Sequence, residues 1–177
     1  MTDKIKNILN NQINEEFYSS YLYLDFSAKL ERRGFKGAAN WMKVQAQEEN
    51  DHALGFVRFL LDRGEEPQLK AVKEPETGKL DTILDFVSAG LKHEQHITAC
   101  IARIYELAKE EKDYSLESFI KWYIDEQVEE EANATEIIDK LNLIGKDGSA
   151  VYMLDQELAS RVYTLSGPYA AAGGAKA

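Results

Sequence analysis

Residues 63–79 read RGEEPQLKAVKEPETGK, and this stretch decides the fold. It holds Pro67 and Pro75, two of the three prolines in the chain, with Gly64 and Gly78 near its ends. On either side lie long segments whose apolar residues recur at steps of three and four. Two further strong breaks, ERRGFKG (31–37) and LIGKDGS (143–149), and a weaker one, EKDYS (111–115), divide the rest. The spacing predicts four long helices over 3–32, 35–63, 80–111 and 115–145, with Ser115 offered as the cap of the fourth. A shorter helix is expected over 149–165. No stretch alternates at strand period, so the expected class is all-α. The first and third connections are a few residues long, which makes antiparallel hairpins. The connection at 63–79 is different: about 16 residues, extended at roughly 3.3 Å each, reach about 50 Å. A helix of about 30 residues is about 45 Å long. This connection therefore runs the length of a bundle and sets the second and third helices parallel, a four-helix bundle with one long crossover.

The chain has 177 residues and a formal net charge of −10. That length suits one domain, expected over 1–167, with a flexible small-residue tail over 168–177. The acidic balance argues against nucleic acid, because no basic patch exists to neutralise phosphates. It suits a soluble protein or one that attracts cations. No window approaches a membrane span, and MTDKIKNILNNQ at the start has no apolar run of signal length, so the expected location is the cytoplasm. Cys100, the single cysteine, stands among Ala99, Ile101 and Ala102 and reads as a buried, inert thiol.

The inward stripes of the helices carry polar residues at mid-height. On the third helix the row Ile83, Val87, Gly90, Glu94, Ile97, Ile101, Ile104, Ala108 is interrupted only by Glu94. On the fourth, Leu116, Ile120, Tyr123, Gln127, Glu130, Ala134, Ile137, Leu141 places Gln127 and Glu130 in the middle. The second gives Met42, Ala46, Glu49, Ala53, Phe56, Leu60, with His52 beside Glu49. The first gives Ile5, Leu9, Glu16, Tyr23, Phe26, Leu30. Four converging buried carboxylates are prohibitively costly unless protonated or bound to cations. Glu and His together are ligands for iron, manganese or zinc. Di-iron carboxylate bundles take a Glu from each of two helices and Glu-x-x-His from each of the other two. Here Glu16 and Glu94 are the single carboxylates and Glu49-x-x-His52 is one pair; the other is altered to Gln127-x-x-Glu130. A row of buried polar residues satisfied by hydrogen bonds is the plainer alternative.

At these residues the sequence resembles the non-haem bacterial ferritins, from about residue 5 to 165. The most specific pieces are EFYSSYLY (16–23), AQEENDHA (46–53), KHEQ (92–95) and WYIDEQVEEE (122–131). The resemblance implies a ferroxidase centre with one iron on Glu16, Glu49 and His52 and a second on Glu49, Glu94 and Glu130, Gln127 lying close by. It implies a third site on the inner surface at Glu48, Glu126, Glu129 and Glu130, and places Tyr23 and Trp122 against the centre. It also implies a hollow shell of twenty-four subunits, with the fifth helix around its four-fold axes. Bottom-up, Glu126 can gather with Glu129 and Glu130 on one helix side, although an EEE run is more often a solvated face. Tyr23 read alone is core packing with a satisfied hydroxyl. Two departures argue against the haem-binding relatives, so no haem is expected: Glu130 stands where those carry a histidine, and Asn50 where they carry the haem methionine. His93 and His96 are off the buried stripe and read as surface or subunit-contact residues.

The expected function is iron storage. Fe(II) is oxidised by dioxygen or hydrogen peroxide at the centre and deposited as a ferric mineral within the shell. Two rivals stand beside it: a soluble di-iron or manganese carboxylate oxidase that retains its metals, and an iron buffer that binds without oxidising.

Overall fold

The computed structural model describes residues 1–170. It comprises α1 (Asp3–Arg33), α2 (Lys36–Asp62), α3 (Ile83–Glu110), α4 (Tyr114–Ile144) and α5 (Gly148–Leu158). The first four match the expected helices to within a few residues. The α1–α2 turn closes on Gly34 at φ 89°, a left-handed conformation that costs glycine nothing. Its N–H and that of Phe35 return to the carbonyls of Glu31 and Leu30. Thr82 and Asp85 form a capping box at the start of α3. The cap of α4 is Asp113 and not Ser115, its carboxylate accepting from Leu116 N. Arg63, from the far end of α2, fixes that carboxylate with two hydrogen bonds of 3.0 Å.

The crossover follows α1 from end to end. Gln68 N donates to Asn10 Oδ1, Lys70 Nζ to Asn11 Oδ1 and Glu76 N to Tyr18 Oη. Farther along, Lys29 reaches Thr77 and Arg33 reaches the carbonyl of Leu80. α3 then starts beside the end of α1, where Phe86 meets Phe26 edge-on, and finishes beside its start, where Lys4 pairs with Glu110 and Glu111. α3 is thus antiparallel to α1 and parallel to α2, as the connection length requires.

The core divides into two apolar clusters. One gathers Leu22, Phe26, Leu30, Met42, Phe86 and Ile137; the other gathers Ile5, Leu9, Phe56, Leu60, Ile101 and Ile120. A buried polar layer separates them: Gln12, Glu16, Ser19, Gln45, Glu49, His52, Glu94, Gln127 and Glu130. The apolar layers supply the burial that holds the bundle, and they exclude water from the band between.

The fifth helix is shorter than the expected 149–165. It ends at Leu158, and residues 161–166 continue without helical structure. Asn40 Nδ2 donates to the carbonyls of Ala159 and Arg161, so α2 takes two bonds that a longer helix would have used internally. Farther on, Tyr169 lies 6.2 Å from the ring of Phe119. The remainder of the expected flexible tail, 171–177, lies outside the described residues.

Candidate metal centre

Two ligand groups share Glu49. Atoms of Glu16, Glu49 and His52 lie within 4.8 Å of one another, and so do atoms of Glu49, Glu94 and Glu130; all five residues are buried. His52 Nδ1 is 3.4 Å from Glu49 Oε2. One oxygen each of Glu16, Glu49 and Glu130 is held, and both of Glu94. Gln12 Nε2 donates to Glu16 Oε1 at 2.8 Å, while Gln45 Nε2 donates to Glu49 Oε1 at 2.9 Å and to Glu130 Oε1 at 2.7 Å. Glu94 accepts from the Tyr23 hydroxyl on one oxygen and from Gln127 Nε2, at 3.2 Å, on the other. Against this, Glu16 Oε2, Glu49 Oε2 and Glu130 Oε2 are buried with no hydrogen-bond partner. Buried carboxylate oxygens are almost always paired; three orphans in one layer fit a cation pair. The donor set, mostly carboxylate oxygen with one imidazole nitrogen, fits iron, manganese or zinc.

The protonation pattern follows from burial. Glu16 is pushed up to about 8, by burial first and the adjacent Glu49 charge second. Glu94 rises to about 7 for the same two reasons. Glu130 is driven well above the carboxylate range by burial, then by Glu49 and Glu94. For Glu49 burial is the largest influence and works upward, but the close, charged His52 ring, 3.4 Å from Oε2 and outside good hydrogen-bond geometry, brings it below its ordinary value. Burial pulls His52 down, yet Glu49 outweighs it and lifts the imidazole to about 9. Without a cation the layer is one buried ion pair among protonated carboxyls, and cations would enter by displacing protons.

A Ferritin-like domain model matches residues 6–144. The chain belongs to the ferritin family. It is 36% identical over 166 residues to the bacterial non-heme ferritin of Staphylococcus saprophyticus, covering 94% of this chain and 99% of that one. A probable bacterial non-heme ferritin-like protein of Haemophilus influenzae is 35% identical over 160 residues, covering 90% and 96%. Among solved structures, an engineered closed form of the Archaeoglobus fulgidus ferritin superposes with a TM-score of 0.90 at 43% identity, covering 93% and 99%. The open-pore ferritin of the same archaeon gives 0.89 at 42%, covering 92% and 98%. These likenesses span the whole bundle and support an iron-storage protein.

The other predicted positions of this ferritin separate. Tyr23 lies against Glu94, and the Trp122 ring meets His52 edge-on at 5.4 Å. The four expected third-site glutamates do not all converge. Glu126 and Glu130 come within 4.8 Å of His52, but Glu48 is turned to Arg161 and Glu129 is exposed. His93 is off the buried stripe and half-buried: its Nε2 is 2.7 Å from Ser19 Oγ, and its ring packs edge-on against Tyr18 and Tyr23. His96 is exposed and pairs with Glu15 at 3.0 Å.

Gln12 and Gln45 are the site residues that sequence reasoning passed over. Each stands four positions before a ligand, Gln12 before Glu16 and Gln45 before Glu49. That spacing puts amide and carboxylate on one helix face, a repeated signal that was present in the chain.

Proposed function

We propose that this ferritin is a ferroxidase that stores the iron it oxidises. The observation that carries the reading is the set of three orphaned oxygens on Glu16, Glu49 and Glu130, arranged about a shared Glu49. Fe(II) is the substrate. Glu16, Glu49 and His52 hold one ion and Glu49, Glu94 and Glu130 the other, with His52 neutral once its proton has left. Gln12, Gln45 and Tyr23 orient the carboxylates, and outer-shell donors of this kind fix ligand geometry. Each iron gives up one electron. Dioxygen accepts two electrons and two protons to become hydrogen peroxide; peroxide, accepting two more of each, becomes two waters. The carboxyl protons displaced by iron are the nearest supply. Tyr23 and Trp122 stand against the ligands where each could give a further electron, a role that rests on family resemblance. Neutral Gln127 in place of a charged ligand weakens the second position, which suits release of product to a mineral. Self-association into a shell, the twenty-four subunits of the resemblance, would enclose that mineral, and the net charge of −10 draws cations inward.

One observation favours the metal-retaining oxidase. A cavity of about 380 Å³ between α3 and α4 is walled by Ile101, Ala102, Tyr105, Ile124 and Val128 and includes Gln127. It would admit a small apolar molecule beside the second metal position. The deciding experiment adds many Fe(II) per subunit in air to metal-free protein, then separates by size with iron detected in the eluate. Iron well beyond three per subunit, eluting with a large assembly, is expected. Iron that stops at two per subunit in a small oligomer would overturn storage and favour the oxidase.

A further inference from the structure

Beyond α5 the chain turns back along α2 and lies across the α2–α4 groove, over the cluster formed by His52, Glu126 and Glu130. It is pinned at successive points. Arg161 Nη2 donates to Glu48 Oε2 at 2.5 Å and to Gln45 Oε1 at 2.9 Å. The guanidinium lies 4.3 Å over the Trp41 ring, with Nη1 3.4 Å from the Trp41 carbonyl. Tyr163 Oη and the N–H of Ser166 both donate to Asp51 Oδ2, at 2.7 and 3.2 Å. Ser166 Oγ is 3.4 Å from His52 Nε2 and 3.4 Å from Glu126 Oε1. Pro168 packs over Gly55, where a β-carbon would strike the Tyr123 hydroxyl and come within 3.2 Å of the proline ring.

A guanidinium held in this way does two things that a loose surface arginine does not. It neutralises Glu48, whose side chain is only 14% exposed. It also fixes the Gln45 amide, carbonyl toward Arg161 and NH₂ toward Glu49 and Glu130. A planar fork that is always charged suits such a place, because it saturates a carboxylate without ever releasing a proton.

We propose that Arg161 is the built-in cation of the carboxylate group on this side of the centre. A third metal ion competes with the guanidinium for Glu48, and it binds there only when residues 161–166 lift from α2. The inference rests on the functional reading above and deepens it: the two ions about Glu49 use no carboxylate that Arg161 holds, and the third does.

The test is a calorimetric titration of the intact, metal-free assembly with Zn²⁺, which is redox-inert. The wild type is expected to bind two ions per subunit tightly and a third at least tenfold more weakly. Arg161→Gln keeps an amide that can still donate to Gln45; it should leave the number of tightly bound ions at two and tighten the third about tenfold. The double variant Glu48→Gln/Arg161→Gln should lose that gain. A wild-type isotherm from Arg161→Gln, or a gain that survives in the double variant, would overturn the inference. Should Arg161→Gln fail to assemble, the wild type still decides, through backbone hydrogen exchange at 161–166. Exchange should rise only once Zn²⁺ exceeds two per subunit; constant protection would refute the competition. Absence of the two tight ions from wild type and variants alike would sink the functional reading and this inference together. Their presence with an unchanged third step would sink the inference alone.

Discussion

His52 Nδ1 lies 3.4 Å from Glu49 Oε2, one turn away on the same helix and equally buried. This pair sets the proton inventory of the centre. With Glu49 held low, His52 lifted to about 9, Glu16 to about 8 and Glu94 to about 7, metal ions at neutral pH must displace the imidazole proton, those of Glu16 and Glu130, and part of that on Glu94. Filling the centre with Zn²⁺ at pH near 7 should therefore release at least roughly three protons per subunit, and affinity should rise steeply up to pH about 9. Repeating the calorimetry in buffers of different ionisation enthalpy measures the number directly. Release near zero would mean that the carboxylates are already ionised and that the layer is open to water.

The same shifts give the metal-free protein an unusual stability profile. Glu16 has a folded value of about 8 against an ordinary 4.5, so its protonated form contributes stability that is full below 4.5 and is lost as pH rises to about 8. Glu94, raised to about 7, acts in the same direction. His52 is raised from 6.5 to about 9, so its contribution is full below 6.5 and is lost through 9. All three favour the folded state at the lower end. The Tm of metal-free protein should fall between pH about 5 and about 9, and loading with metal should flatten the slope. A metal-free Tm that rises across this window would contradict the assigned protonation states.

Most of the buried polar layer was legible in the sequence because helical periodicity exposes misplaced charge. The buried residues of α4 are the row Leu116, Ile120, Tyr123, Gln127, Glu130, Ala134, Ile137, Leu141, so any polar member is conspicuous. The crossover was legible too, since its reach is set by residue count. What stayed hidden depends on contacts distant in sequence. Asp113 caps α4 in preference to Ser115 because Arg63, fifty residues earlier, holds it. Arg161 and Ser166 belong to a segment without periodicity, and only folding shows that they return to residues 45–52. The partners of His93 were hidden in the same way, since Ser19 and Tyr18 lie on α1, more than seventy residues earlier.

α2 begins without a side-chain cap of its own, Phe35 standing at that position. Asp155, buried on α5, supplies it: its carboxylate accepts from Gly37 N at 3.0 Å and Ala38 N at 2.9 Å. Asp155→Ala should cost about 1–2 kcal/mol, the usual loss for a removed cap. Gly37→Ala should be worse. A β-carbon there would fall on the backbone carbonyl of Asp155, part of α5, so α5 must shift from its seat, a strain of about 1–3 kcal/mol or more. Denaturant unfolding of both variants checks the order. Equal stability to wild type in Asp155→Ala would show that α5 does not hold the start of α2.

Gln45 joins the two ligand groups, since one amide nitrogen reaches Glu49 and Glu130 while its carbonyl faces Arg161. Gln45→Leu keeps the volume and removes every polar contact. Two buried carboxylate oxygens and a guanidinium then lose a partner, a penalty of about 1–3 kcal/mol per unsatisfied group in the metal-free protein. Bound metal would not need the amide to neutralise those oxygens, so stoichiometry should stay at wild type while affinity falls. Loss of an outer-shell partner typically weakens binding about 10–100-fold. Glu49→Ala should behave differently, because it removes the ligand common to both groups and so lowers the number of ions bound. Zn²⁺ calorimetry separates the two outcomes. Unchanged affinity and Tm in Gln45→Leu would mean that Glu49 and Glu130 are held by the backbone of their own helices, with the amide a bystander.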